Sequence, residues 1–190
     1  MNLFDRFSPW YDRFMQRWGL YHVESIKQAL KPKGPGQSLL DVGGGTGYLA
    51  SCVADRYVRT VVADLSPGML SVARSRNLET VEASATELPF KEAEFDVVLC
   101  TDALHHIKQI ERAVSEMCRV LKPGGTILIH EFHVQGWKGV IFFWFERLFV
   151  DDSVFVTPAE LQALLEKRGC DVSYTRLSSL CFMIVAKKGA

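Results

Sequence analysis

The sequence predicts an α/β protein built on a doubly wound, mostly parallel sheet of seven strands. Short apolar runs suited to buried strands alternate with helical patterns from Ser38 to Glu131. A glycine-dense turn, Gly43-Gly44-Gly45-Thr46-Gly47, follows the first of those runs and opens the first of those helices. Near the end, two strand-like runs are separated by Ser178-Ser179 and read as a hairpin, which makes the last strand antiparallel to its neighbour.

The elements follow in chain order. Phe4, Phe7, Tyr11, Phe14 and Trp18 recur at helical spacing, with Ser8-Pro9 as a start and Gly19 as a stop, so a helix is expected from about Pro9 to Trp18. A second is expected from Tyr21 to Leu30, and Lys31–Gly36 is a loop by composition. Ser38–Val42 is the first strand and Gly47–Arg56 its helix. Arg59–Asp64 is the second strand, and Ser66-Pro67 caps the helix after it. Leu78–Ser84 is a weaker strand, and Phe95–Cys100 carries the buried run Val97-Val98-Leu99. Ile110–Leu121 is amphipathic and stops at Lys122-Pro123-Gly124-Gly125, before a strand over Thr126–Glu131. Thr157 and Glu160 form a capping-box pattern for a helix that ends near Gly169, and the hairpin strands are Cys170–Leu177 and Leu180–Lys187.

With 190 residues, 48% of them hydrophobic, the chain suits a single domain, residues 1–190, with a full core. Basic and acidic residues balance at 22 each without a Lys/Arg block, which argues against a nucleic-acid partner. Five scattered cysteines without a C-x-x-C pair read as core residues in a reducing compartment. No basic leader precedes an apolar run, and the longest apolar stretch, Val140–Val150, is interrupted by Glu146 and Arg147, so the expected location is the cytoplasm.

Strand, glycine turn and helix bring backbone N–H groups up to an anionic or polar ligand. Gly45-x-Gly47-x-x-Ala50 satisfies a dinucleotide fingerprint, and Asp64 follows at the distance of a ribose-binding acid. Taken alone this leaves an NAD-dependent oxidoreductase open, and Asp64 also suits the start of the helix at Ser66.

The wider set of motifs is more specific. Leu39–Gly47, Val62–Leu70, Ala85–Phe90, Phe95–Leu99, Ala103–Ile107 and Arg119–Gly125 occur in order. Together they resemble the class I S-adenosylmethionine-dependent methyltransferases, nearest the small-molecule subgroup that includes ubiquinone/menaquinone-biosynthesis enzymes. The resemblance implies a Rossmann-like sheet in the order 3-2-1-4-5-7-6 with the last strand antiparallel. It also implies a helical cap over residues 1–36 and an insertion over residues 132–156 that covers the substrate pocket.

For the cofactor, S-adenosylmethionine, the resemblance implies a site built from Asp41, Gly43, Gly44, Gly45, Gly47, Asp64, Leu65, Met69, Ser84, Ala85, Thr86 and Thr101. Asp41 would orient the amino group, Asp64 would take the ribose hydroxyls, and Leu65 and Met69 would flank the adenine. Ser84 stands where the family often has an aspartate for the adenine amino group, which weakens that edge. Met69 equally suits a buried helix position.

Methyl transfer demands alignment and, for a carbon or phenol nucleophile, a base. Asp102, His105, His106, His130, Glu131 and His133 fall at the ends of adjacent strands, and the histidines are the catalytic candidates. His130 and His133 around Glu131 also raise a metal centre, but strand alternation sends His130 and Glu131 to opposite faces, so no metal is expected. The aromatic N-terminal helix and Trp137–Val150 are the expected substrate determinants; they bind a greasy ligand, touch a membrane surface, or pack on each other. The expected activity is methylation of a small hydrophobic or aromatic, quinone-like or lipid-like, acceptor. The alternatives are the oxidoreductase and a non-catalytic S-adenosylmethionine-binding regulator.

Overall fold

The computed structural model describes residues 12–13, 15–17, 19–31, 34, 36–132 and 156–189. His133, the aromatic stretch Trp137–Val150 and the aromatic face of Phe4, Phe7, Tyr11, Phe14 and Trp18 lie outside the described residues.

Seven strands form one sheet in the order β3-β2-β1-β4-β5-β7-β6. They are β1 (Ser38–Val42), β2 (Arg59–Asp64), β3 (Glu79–Glu82), β4 (Phe95–Thr101), β5 (Leu121–Phe132), β6 (Cys170–Arg176) and β7 (Cys181–Lys188). The helices bounded within the described residues are α1 (Val23–Ala29), α2 (Tyr48–Ser51), α3 (Pro67–Ser75), α4 (Ile110–Val120) and α5 (Pro158–Glu166). β1 pairs in parallel with β2 and β4, whereas β7 runs antiparallel to β5 and β6. The expected order and the antiparallel last strand are therefore observed. β1 is buried at every residue, the polar Ser38 and Asp41 included, as an interior strand covered on both faces is.

Side chains alternate across the sheet and build two main core layers. Leu40, Val98, Ile127, Ile129, Phe182 and Ile184 face α4 and α5, where Val114, Met117, Leu161 and Leu165 meet them. Leu39, Leu99, Leu128, Cys181 and Met183 face the other way, against Ile26, Leu30, Leu49 and Val53. Local signals set the helix starts. Ser66 Oγ accepts the Met69 N–H at 3.2 Å, and Thr157 and Glu160 close a reciprocal capping box.

Two of the sequence motifs turn out to hold each other. The Arg119 guanidinium donates to Phe90 O at 2.8 Å and Leu88 O at 2.9 Å, while the Leu88 N–H donates to Glu116 at 2.8 Å. The turn Leu88-Pro89-Phe90 is thus pinned to the last turn of α4 by a fork of charge-assisted bonds.

Several boundaries differ from expectation. The helix expected over Gly47–Arg56 stops at Ser51, whose hydroxyl donates to Tyr48 O at 2.6 Å and competes with helical bonding; a 3-10 turn, Ala54–Arg56, follows. β5 begins at Leu121, not Thr126, because Leu121 pairs with Phe95 before the register shifts and regular pairing resumes at Thr126. It ends at Phe132, so that residue belongs to the sheet and not to an insertion over 132–156. β3 is confined to Glu79–Glu82, and Leu78 packs beside α3 instead. α1 begins at Val23, since His22 is left-handed at φ 34°.

Phe182 is fully buried between the sheet and the α4–α5 layer. Phe182→Ala is expected to cost about 3–5 kcal/mol, read as a lower midpoint in urea unfolding.

Candidate functional site

The carboxyl ends of β1, β2 and β4 open onto one cavity of about 480 Å³, a volume ordinary for a small-molecule site. Its floor is the glycine turn. Gly43 has φ 67°, and a Cβ there would lie 2.6 Å from that of Ala103, so the turn and the end of β4 touch backbone to side chain. At Gly44 the constraint is different, since a Cβ would sit 2.4 Å from the Asp41 carboxylate.

Asp41 lies under that turn, 1% exposed, one residue before the end of β1 and between β2 and β4. Neither of its carboxylate oxygens has a hydrogen-bond partner among the described residues. Burial, with the nearby charge of Asp64 adding to it, pushes its carboxyl up to about 8. Asp64 closes β2 at the cavity wall and accepts from Gly45 N–H at 2.9 Å and Ser66 N–H at 2.8 Å. The second bond is the helix-start role that its position before Ser66 suggested; the first ties it to the glycine turn.

Gly43, Gly44, Gly45, Asp64, Leu65, Met69, Ser84, Ala85, Thr86 and Thr101 all border the cavity. Leu65 is 64% exposed there, a large apolar side chain held on the rim, whereas Met69 is buried. Ser84 Oγ is engaged locally, with Thr86 Oγ1 at 2.7 Å and the Thr86 N–H at 3.2 Å. Gly47 and Asp41 stand behind the lining, the former as the left-handed residue before α2.

The histidines separate. His106 lines the cavity, but burial and then the adjacent His105 push it down to about 3, so its ring is neutral and a weak proton acceptor at neutral pH. His105 and His130 do not line it, so of the three described candidate rings only His106 borders the cavity. His105 Nδ1 meets Glu131 at 2.7 Å, with both side chains almost fully buried. Burial alone would raise Glu131, yet the His105 charge and the Phe132 N–H hold it below the usual carboxylate range. His130 Nδ1 meets Asp102 Oδ1 at 3.0 Å. Burial pulls the His130 ring down, but the Asp102 charge and hydrogen bond outweigh it and raise the ring to about 10. Asp102 itself lines the cavity with φ 50°, and its Oδ2 has no partner among the described residues.

Residues that sequence patterns did not single out complete the wall. Tyr21 stacks on Tyr48 with ring centroids 4.7 Å apart. Its hydroxyl donates to Asp12 Oδ1 at 2.7 Å, which also accepts from Thr46 Oγ1 at 2.7 Å, and Arg76 binds both the other Asp12 oxygen and Thr46 O. Apart from Tyr21 and Asp12, these groups are about thirty or more residues apart, so no local signal could have gathered them.

A family model described as "Methyltransferase domain" matches residues 40–129, the span from β1 into β5 that builds this cavity. The chain is 42% identical over 111 residues to a ubiquinone/menaquinone biosynthesis C-methyltransferase of Brucella anthropi, covering 53% of this chain and 42% of that one. It is 34% identical over 140 residues to a demethylmenaquinone methyltransferase of Renibacterium salmoninarum, covering 68% and 57% respectively. Residues 40–129 therefore carry a methyltransferase domain. The chain spans about half the length of the curated relatives it matches.

Solved structures share the fold. A chain of the complex built on the Trm112 methyltransferase activator of Haloferax volcanii superposes with a TM-score of 0.84 at 19% identity, covering 100% of this chain and 99% of that one. Phosphoethanolamine N-methyltransferase 2 of Haemonchus contortus, solved with S-adenosyl-L-methionine, gives 0.75 at 20% identity over 89% of this chain and 52% of that one.

The residues present fit such a cofactor. A buried carboxylate awaits a cationic or hydrogen-bond-donating group, and side chains are excluded from the turn above it. The ionisation of Asp41 has a measurable consequence. Below about pH 4 the carboxyl is protonated in both folded and unfolded chains. Between there and about pH 8 the unfolded chain has released a proton that the folded chain retains, so this group makes stability fall as pH rises, with no further loss above. Asp41→Asn is expected to remove that slope and to be the more stable protein in urea unfolding at the alkaline end.

Proposed function

We propose that the protein binds S-adenosylmethionine in this cavity and methylates a small hydrophobic or aromatic acceptor of the quinol class, in the cytoplasm. The observation that carries the reading is Asp41, a carboxylate buried without a partner among the described residues beneath a side-chain-free turn. The relatives whose names specify ubiquinone or menaquinone biosynthesis support the acceptor class. Five unpaired cysteines support a reducing compartment.

When bound, S-adenosylmethionine supplies a methyl group on a positively charged sulfur and departs as S-adenosylhomocysteine. The protein's part is to bind, orient and take a proton. Asp41 holds the amino group, and the backbone of Gly43, Gly44, Gly45 and Gly47 wraps the methionine and ribose. Asp64 accepts the ribose hydroxyls, exchanging its bond to Gly45 for them. Leu65 and Met69 cover the adenine faces, a soft thioether and an exposed aliphatic chain suited to a flat ring. Ala85 and Thr86 meet the adenine edge by backbone, since the Ser84 hydroxyl is already engaged. Thr101 borders the transfer centre.

Among the groups named for a base, Asp102 is the best placed. It borders the cavity, one oxygen is held by His130, and the other has no partner among the described residues. Asp102 would take the proton that the acceptor loses when the cofactor supplies its methyl group. His106 then serves as a neutral wall beside it, and His130 as the group that orients the carboxylate. The single domain, the cap over residues 1–36 and the cover after β5 belong to the same reading, with the aromatic segments around the acceptor.

Incubation with methyl-labelled S-adenosylmethionine and a demethylmenaquinol analogue is expected to give a labelled quinol by mass spectrometry. Tight S-adenosylhomocysteine binding without transfer to any small molecule would leave a regulator, and tight NAD binding without S-adenosylhomocysteine binding would overturn the cofactor. Asp64→Ala is expected to weaken S-adenosylhomocysteine in calorimetry by about 1–3 kcal/mol, because a charged acceptor is lost.

A further inference from the structure

Behind the cavity wall, three donor atoms converge from three separate elements. His22 precedes α1, His130 is near the end of β5, and Cys181 opens β7. His22 Nδ1 lies 3.1 Å from His130 Nε2, and these two atoms and the Cys181 sulfur all lie within 4.8 Å of one another. The register explains the convergence. Phe132 faces Cys181 across the β5–β7 ladder, so His130 is two residues from the partner of Cys181 and shares its side of the sheet. Glu131 points to the opposite side, toward His105. The donors that neighbour one another in sequence are therefore dispersed, and the ones brought together are distant in it.

We infer that His22, His130 and Cys181 form a binding site for one zinc-class divalent cation, tying the start of α1 to the β5–β7 edge beside the cavity. The donor set, two imidazoles and a thiolate, suits a borderline-soft transition ion and not magnesium or calcium. A tetrahedral zinc centre needs donors about 3.3–3.7 Å apart, from Zn–N of about 2.0–2.1 Å and Zn–S of about 2.3 Å. The nitrogens already sit near that spacing, and the sulfur needs a side-chain adjustment of about 1 Å. Asp102 supplies the second feature of such centres. Its carboxylate takes the Nδ1–H of His130 and so fixes which nitrogen faces His22 and Cys181, as outer carboxylates do for zinc-bound histidines.

His130 and Cys181 are fully buried and His22 is half-buried, so the three donors leave a fourth position for water or another ligand on the His22 side. Without a cation, His22 Nδ1 lies 3.1 Å from both His130 Nε2 and Leu20 O. Uptake of the ion displaces any proton held on the two facing ring nitrogens and the Cys181 thiol proton to solvent, with no change in oxidation state.

The experiment uses the whole chain, stripped with a chelator and titrated with Zn²⁺ by calorimetry and with Co²⁺ by absorption. One ion per chain is expected, with a thiolate-to-cobalt charge-transfer band and tetrahedral ligand-field bands. Cys181→Ser should abolish the charge-transfer band, and His22→Ala should weaken Zn²⁺ at least tenfold. Asp102→Asn should weaken it by about 10–100-fold through the loss of orientation. Should Cys181→Ser fail to fold, His22→Ala decides, because that ring is half-buried and outside the sheet. No Zn²⁺ binding at micromolar concentrations, or unchanged affinity in His22→Ala, overturns the site. Zinc affinity does not depend on the methylation reading, since neither S-adenosylhomocysteine nor activity enters the measurement.

Discussion

A carboxyl group with no partner among the described residues, set near the end of a buried strand, is the constraint around which this molecule is arranged. Asp41 is flanked by Val62 on one side and Leu99 on the other, inside a sheet with core layers on both faces. Such a group destabilises the fold on its own and is kept neutral by its surroundings. The turn above it is shaped by that presence, because any side chain at Gly44 would collide with the carboxyl. Stability and binding are therefore opposed at one atom group: the ionised form that a cationic ligand wants is the form the empty protein disfavours.

The parallel part of the sheet and most helix starts were legible because their signals are local. Ser66-Pro67 and Thr157–Glu160 each announce a helix within four residues, and the coordinates close the expected caps. The cavity-lining glycines, Asp64 and Leu65 follow from one strand-turn-helix pattern repeated twice. The hairpin was equally plain. By contrast, the start of β5 was misjudged because Pro123 and two glycines read as a loop, whereas strand pairing with Phe95 begins before them.

What the sequence hid is long-range. His105–Glu131 and His130–Asp102 are 26 and 28 residues apart, and His22–His130 is 108 apart. Of the histidines expected at the ends of two adjacent strands, the described ones fall on two faces of the sheet. One face carries His105 with Glu131 toward the α4–α5 layer, and the other carries His130 toward α1. Only coordinates could show that a carboxylate from the end of β4 reaches His130 and leaves its second oxygen at the cavity.

The small polar knot at Asp12 carries a different message. One carboxylate gathers Tyr21, Thr46 and Arg76, so a residue that precedes the whole sheet is bonded to the floor of the cavity and to the tail of α3. Detaching that residue strips Thr46 and Tyr21 of the same acceptor in one event. Tyr21 and the threshold of the cavity at Thr46 are consequently joined through the one Asp12 carboxylate, so the two share a single acceptor.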